Sequence, residues 1–168
     1  MLDEWSATGT FFPLGARAER FPEVIGAVAE AGHEIGCHGQ NHRNALRVGP
    51  LRAFRDAARG FETLSPWLSC PRLFRPPFGK LDSIAWLLLR WKGVKLGWWT
   101  IDSGDTRGSQ KDRTLVEEVR RCRGGVVLLH DFDRISGRDD HVLALLKELL
   151  MLARREGIRL VRLSELLD

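Results

Sequence analysis

From "TGTFFPLG" onward, short apolar or β-branched runs alternate with helical patterns, and a Gly or Pro marks each change. The runs lie near residues 8–14, 34–38, 72–75, 94–101, 125–130 and 158–162, and they are expected to be strands. Between them, one helix is expected from Pro22, with Val24, Ile25 and Val28 on one stripe and Gly32 past its end. A second begins at Pro50 and repeats Leu51, Phe54, Ala58 and Phe61 at helical spacing. A third, "SIAWLLLRWK", stops at Gly93, and a fourth opens with Thr114 and Glu117 at capping-box spacing. The last runs "HVLALLKELLMLARRE" into Gly157, with Leu143, Leu146, Leu150 and Ala153 facing inward. Strands that alternate with helices in this way predict right-handed βαβ units and parallel pairing. An open doubly wound sheet and a barrel both satisfy the pattern.

The 168 residues are 43% hydrophobic and 29% charged, a soluble composition able to bury one main core. No internal repeat, low-complexity tract or Pro/Ser-rich linker interrupts them, so a single domain is expected over residues 1–168. The net charge of +4 favours anionic surroundings. The Lys and Arg are nevertheless scattered, and without a basic amphipathic or zinc-finger pattern nucleic acid is not expected as a partner. Cys37, Cys70 and Cys122 are odd in number and far apart. They make neither a CxxC knuckle nor a complete disulfide framework, and are expected as small, semi-buried side chains. "MLDEWSATG" carries acids where a secretory signal carries bases, and no apolar run approaches the roughly 18 residues of a membrane span. No signal peptide or membrane span is therefore expected in these residues, and cellular location stays undecided.

Four polar clusters share a position, each following an expected strand: "HGQNH" (38–42), "RPPFGK" (75–80), "DSGD" (102–105) and "HDFD" (130–133). In parallel βα folds the C-terminal strand ends lie on one face, where loops converge on a ligand. Four clusters on that rim predict one site. His38 and His42 put two imidazoles four positions apart, each able to bind a cation once its ring is neutral, but a catalytic metal usually takes three protein ligands. Solvated loop histidines are the alternative. His33, in "AGHEIG", is expected to pack or to face solvent between a helix and a strand. In "RPPFG" a stiff Pro-Pro turn fixes the backbone N–H of Phe78 and aims the Arg75 guanidinium, with a rigid surface loop as the other reading. Gly79-Lys80 is not a phosphate loop, because Phe74 and Leu81 stand where that motif needs Gly and Ser or Thr.

His130 emerges from the apolar "VVLL" run, well placed for proton transfer or else satisfied at the core edge by Asp131. Asp102 and Asp105 can cap a turn through Asx bonds, or one of them can contact His130 and set its tautomer. Trp98 and Trp99 alternate on an expected strand, either in the core or bordering a sugar-binding cleft. No GxSxG elbow exists and no Cys sits in an electropositive niche, which leaves nucleophilic Ser or Cys catalysis unsupported.

The stretches "ATGTFFPLG", "AGHEIGCHGQNH", "LFRPPFGK", "WTIDSGDT", "VVLLHD" and "RLVRLSELL", in this order, resemble the polysaccharide deacetylases of the NodB-homology type, the fourth carbohydrate esterase family. The resemblance spans nearly the whole chain. It implies an α/β fold, a distorted (β/α) barrel of about seven strands of which about six are present here. It also implies a divalent metal, commonly zinc, and removal of acetyl groups from N-acetylglucosamine polymers such as chitin or peptidoglycan. By the same resemblance His38 and His42 are metal ligands, Arg75 orients the catalytic base, and Phe78, flanked by Pro77 and Gly79, helps bind the oxyanion. Leu128 lines the pocket for the acetyl methyl, and His130 is the general acid tethered by Asp105. Of the two adjacent tryptophans, Trp99 is the one expected to border the sugar.

Two departures stand out. The family's first motif, a strand ending in "TFDDG" that supplies the base and the third metal ligand, is expected upstream of the "ATGTFF" strand, and Asp3 and Glu4 do not replace it. Its loss is expected to expose a strand edge open to a second copy of the chain. Thr106 stands where the family often has an aromatic residue. Two functional expectations result: a metal-dependent deacetylase, or a catalytically impaired carbohydrate-binding or interaction protein on the same fold.

Overall fold

Parallel pairing is present wherever two strands meet. A computed structural model describes residues 1–107, 112–130 and 138–167. The described elements run β1 (Thr10–Phe11), α1 (Gly15–Arg20), α2 (Pro22–Glu30), β2 (Glu34–Ile35), α3 (Ala45–Val48), α4 (Pro50–Leu64), β3 (Leu73–Phe74), α5 (Ser83–Trp91), β4 (Lys95–Leu96), β5 (Ile101–Asp102), α6 (Asp112–Cys122), β6 (Val127–Leu128) and α7 (Arg138–Glu156). The contacts divide into two compact units, Ser6–Trp98 with Val161–Asp168 and Leu2, and Trp99–Leu160 with Asp3–Trp5 and Met1.

In the first unit β1 pairs with β2 and β3 with β4, all parallel, and a parallel bridge from Cys37 to Phe74 joins the pairs. The ladders are short because the runs are punctuated. Pro13 follows β1 with no N–H to offer, and Gly36 and Gly97 each press against the Phe12 ring, where a Cβ would stand 2.5 Å from it. Cys37, Ala57, Leu64, Phe74 and Leu89 form the buried core. α4 starts at Pro50, behind Gly49 at φ 80°, and buries Ala57, Gly60 and Leu64. α5 is capped by Asp82, whose Oδ1 accepts from the backbone N–H groups of Ile84 and Ala85 at 3.1 and 2.9 Å.

In the second unit β5 pairs with β6, with Ile101 opposite Val127 and Asp102 opposite Leu128. α6 and α7 pack Leu115, Val119, Leu145 and Leu152 around Ile101.

Several expectations shift. The stretch 94–101 is two strands, β4 and β5, with Trp98 and Trp99 between them. No strand forms at 158–162. The N–H groups that follow it are taken by side chains instead, Leu163 by Thr10 Oγ1 at 2.9 Å and Ser164 by the buried Glu34 carboxylate at 3.2 Å. α1 was not anticipated, and α6 starts two residues before Thr114. On α7 the buried stripe is Val142, Leu145, Leu150, Leu152 and Ala153, whereas Leu143 faces solvent. Val24, Leu51 and Ala58 also face outward, leaving Ile25, Phe54 and Phe61 to pack on the core. Cys37 is fully buried, but Cys70 and Cys122 are exposed. His33 packs, its ring 5.2 Å from that of Phe11 and its Nδ1 accepting from the Gly9 N–H at 3.4 Å.

Candidate active site

The loop after β2 is built from the backbone outward. The His38 N–H donates to the Pro13 carbonyl at 3.1 Å, and Cys37 bonds across to Leu73 and Arg75 at 2.9 Å each. The His38 ring then places Nδ1 2.6 Å from the Arg75 carbonyl oxygen. A carbonyl only accepts, so Nδ1 carries a proton, and in the neutral ring the lone pair lies on Nε2. That is the second-sphere arrangement that fixes a ligating imidazole. The His42 ring stands edge-on to that of His38, with centroids 4.9 Å apart, and meets the Phe78 ring at a tilt with centroids 4.5 Å apart.

Two residues that the sequence did not flag hold this loop. Asp56, on α4, accepts from the backbone N–H groups of Gln40 and Asn41 at 3.1 and 3.3 Å and from the Asn41 amide at 3.1 Å, and pairs with Arg43 at 3.4 Å. Gly60, one turn on, lets the helix touch the loop: a Cβ there would stand 2.6 Å from the Gly39 carbonyl carbon. The signal was available, because Asp56 is the one acid in "RAFRDAARG" and falls beside the inward positions Ala57 and Gly60.

Arg75 is fixed on two sides. Its Nε donates to the Gly97 carbonyl at 2.8 Å, and its guanidinium lies 4.2 Å over the Phe12 ring. Burial brings its pKa down to about 10, so the side chain stays cationic at neutral pH. Past the extended Pro76, the chain makes a single turn over Pro77–Gly79, with Phe78 in the left-handed region at φ 59°. His42 is left-handed as well, at φ 54°. Pro77 is buried and the Phe78 ring exposed.

The second unit carries the other half of the expected residues. Asp102 does make the Asx turn, accepting from the Gly104 N–H at 2.9 Å. Asp105 instead grips His130 twice, Oδ1 to the ring Nδ1 at 2.8 Å and Oδ2 to the backbone N–H at 2.6 Å. Burial raises the Asp105 carboxyl, but the bonds from the His130 ring and backbone and from Ser103 outweigh it and hold the carboxyl below its usual range. With Nδ1 tied to the carboxylate, a proton exchanged with a ligand moves at Nε2. Leu128, two residues earlier on β6, is buried; Trp99 is half-buried. Asp131 and Asp133 of "HDFD" lie outside the described residues.

His38 and His42 fit a divalent transition metal in chemistry, since imidazole nitrogen is a common ligand for such ions and the His38 ring is oriented by the Arg75 carbonyl. Among the described residues no three His, Cys, Asp or Glu side chains gather into a metal set. The pair is therefore two donors whose third partner the described residues do not supply.

Comparison with known proteins agrees with this pattern. The polysaccharide deacetylase family model matches residues 1–97. A peptidoglycan-N-acetylglucosamine deacetylase from Bacillus cereus is 31% identical over 99% of this chain and 78% of its own length. The solved Bc1960 peptidoglycan N-acetylglucosamine deacetylase superposes with a TM-score of 0.82 at 26% identity, covering 98% of this chain and 77% of that one. A carbohydrate esterase family 4 pseudoenzyme from Bacillus anthracis shares the fold alone, with TM-score 0.80 at 20% identity over 99% of this chain and 58% of that one. The chain belongs to the polysaccharide deacetylase family, the NodB-homology deacetylases. Its α/β architecture with parallel strand pairs is theirs.

Proposed function

We propose that this protein is a metal-dependent hydrolase that removes N-acetyl groups from N-acetylglucosamine-containing polysaccharide of the chitin or peptidoglycan kind. The observation that carries the reading is the Asp105–His130 pair, a buried carboxylate that holds an imidazole by its Nδ1 and backbone N–H. Family membership and the similar peptidoglycan deacetylase from Bacillus cereus support the substrate class. The same reading takes the fold to be the distorted (β/α) barrel and residues 1–168 to be one deacetylase-like domain.

The roles follow from the groups. His38 and His42 would hold the metal, for which zinc suits neutral imidazole nitrogen. When bound, such an ion polarises an amide carbonyl and lowers the pKa of water. His130 hands a proton from Nε2 to the departing amine nitrogen, and Asp105 steadies the ring and the charge it carries. The Phe78 N–H, set by Pro77 and Gly79, donates to the oxygen that becomes negative, and Arg75 fixes the charged group that accepts the water proton. Leu128 meets the acetyl methyl and Trp99 the sugar.

Acetate release from N-acetylchitooligosaccharide and from peptidoglycan, with zinc added and then chelated, tests the reading. Zinc-dependent release that falls by roughly 10² to 10⁴ in His130→Ala supports it. That only two donors gather among the described residues favours a second reading, a carbohydrate-binding protein on the same fold. Saturable binding of the oligosaccharide with no acetate released at any zinc concentration would establish that reading and sink the first.

A further inference from the structure

The unit that holds His38 and His42 carries a surface the reaction does not use. Residues 41–97 contain eleven Arg and Lys against three Asp and Glu, a net of +8, while the whole chain carries only +4. α4 and α5 pack against one another. The outward side of α4 presents Arg52, Arg55 and Arg59, spaced to share a face, and of these only Arg59 meets an acid among the described residues, Glu19 at 3.6 Å.

The outward side of α5 is apolar. Ile84, Leu87 and Trp91 repeat at three and four residues and are 56%, 60% and 78% exposed, while Ala85 and Leu89 take the core side. Each indole on this helix has a cation beside it. Arg90 lies 5.6 Å from the Trp86 ring centroid and Lys92 4.8 Å from that of Trp91. Singly exposed apolar residues are ordinary, but a helical stripe of them edged by unneutralised cations is not.

Three occupants can be weighed by their chemistry. A soluble polyanion would satisfy the arginines and leave Trp91, Leu87 and Ile84 in water. A second copy would cover the apolar stripe but bring one strongly basic face against another. A bilayer containing anionic lipid offers acyl boundary to the stripe and phosphate to the cations that flank it. We propose that the α4–α5 face docks this protein on the surface of an anionic phospholipid bilayer. No described helix is long and apolar enough to cross a membrane, so this contact is peripheral. It stands or falls independently of the deacetylase reading.

Co-sedimentation of the full chain with vesicles of phosphatidylcholine alone, and of phosphatidylcholine with about one third phosphatidylglycerol, tests it. The expected result is binding to the anionic vesicles only, weakened about tenfold or more when salt is raised to about 0.5 M. Leu87→Ser with Trp91→Ser, and separately Arg52→Glu with Arg55→Glu, should each weaken binding by roughly tenfold or more. All four side chains are exposed, and circular dichroism melts verify that both variants fold; either variant alone suffices for the test. Absence of binding to either vesicle, or equal binding to both, would overturn the proposal. Undiminished binding by the Leu87/Trp91 variant would mean simple polyanion attraction. Self-association without lipid, abolished in that variant, would assign the face to a second copy instead.

Discussion

Gly26 and Gly60 both sit inside helices, and helix propensity alone predicts that Ala at either stabilises the protein by about 1 kcal/mol. The structure separates them. At Gly26 a new Cβ would meet nothing nearer than Trp67 Nε1 at 3.7 Å, an ordinary contact, so Gly26→Ala keeps most of the gain, about 0.5 to 1 kcal/mol. At Gly60 the same atom would stand 2.6 Å from the Gly39 carbonyl carbon, 2.9 Å from its oxygen and 2.9 Å from Cys37 Sγ. Two of those neighbours are backbone and cannot rotate away. Restoring normal separation of about 3.5 Å requires α4 and the His38–His42 loop to part by roughly 1 Å, an overpacking cost of about 1 to 3 kcal/mol on top of the propensity gain. Against a gain of about 1 kcal/mol, the net is destabilisation by up to about 2 kcal/mol, with the opposite sign to Gly26→Ala. Thermal unfolding reads this directly, at about 2 to 4 °C per kcal/mol for a chain of this length. Zinc or cobalt titration provides a second readout, because Gly39 follows His38 and a displaced loop disturbs its 2.6 Å bond to Arg75. Gly60→Ala should bind the ion more weakly and Gly26→Ala as the parent does. If Gly60→Ala instead melts higher than the parent, or leaves metal uptake untouched, the loop does not lean on α4 as argued.

Other substitutions probe the same scaffold. Asp56→Ala should cost about 2 kcal/mol in chemical denaturation and weaken cobalt binding, since the carboxylate holds three N–H groups of the loop and only the Gln40 N–H has another acceptor nearby, the Asp56 carbonyl at 3.1 Å. Asp105→Asn should cost about 1.5 to 3 kcal/mol at neutral pH by removing the charge from two short bonds to His130. Its carboxyl lies below the ordinary value in the folded state, so its contribution is complete above the unfolded pKa of about 3.9 and is lost as pH falls through the folded value. Stability of the parent should therefore decline more steeply than that of Asp105→Asn below about pH 4. Arg75→Lys keeps a charge but loses the planar group that lies over Phe12, and it should lower kcat for acetate release while leaving the melting temperature within about 3 °C.

Much of the site was legible because strand ends are punctuated. "HGQNH", "RPPFG" and the His130 end of "VVLLHD" lie just beyond β2, β3 and β6, and "DSGD" starts on the last residue of β5, close to where the expected runs ended. The choice between Asp102 and Asp105 was not legible, since both spacings suit an Asx turn and only β5–β6 pairing brings Asp105 to His130. The inward phase of α7 was legible only in part, with Leu150 and Ala153 buried as expected but Leu143 exposed, because Leu fills six of the ten positions of "LALLKELLML" and the pattern permits two stripes one residue apart. Asp56 and Gly60 were overlooked for a different reason: each acts on a loop some twenty residues earlier, a relation that helical periodicity cannot express.

Backbone strain in the first unit argues that the His42 and Phe78 side chains are there to be used. Both are left-handed, at φ 54° and 59°, and a bulky residue held in that region costs on the order of 1 to 3 kcal/mol. Gly relieves such strain, and the same loop already uses it at Gly39, φ 85°, where a Cβ would stand 2.8 Å from Asp56 Oδ2. At Gly39 the side chain is excluded by its neighbours. At His42 and Phe78 it is kept despite the backbone, and the two rings meet at a tilt, with centroids 4.5 Å apart, beside His38, whose Nδ1 is held by the Arg75 carbonyl. A loop needed only to connect β2 to α3 gains nothing from that arrangement. Strain held at two touching positions, and braced by Asp56, Gly60 and the Arg75 carbonyl, is what a preorganised ligand-binding loop requires.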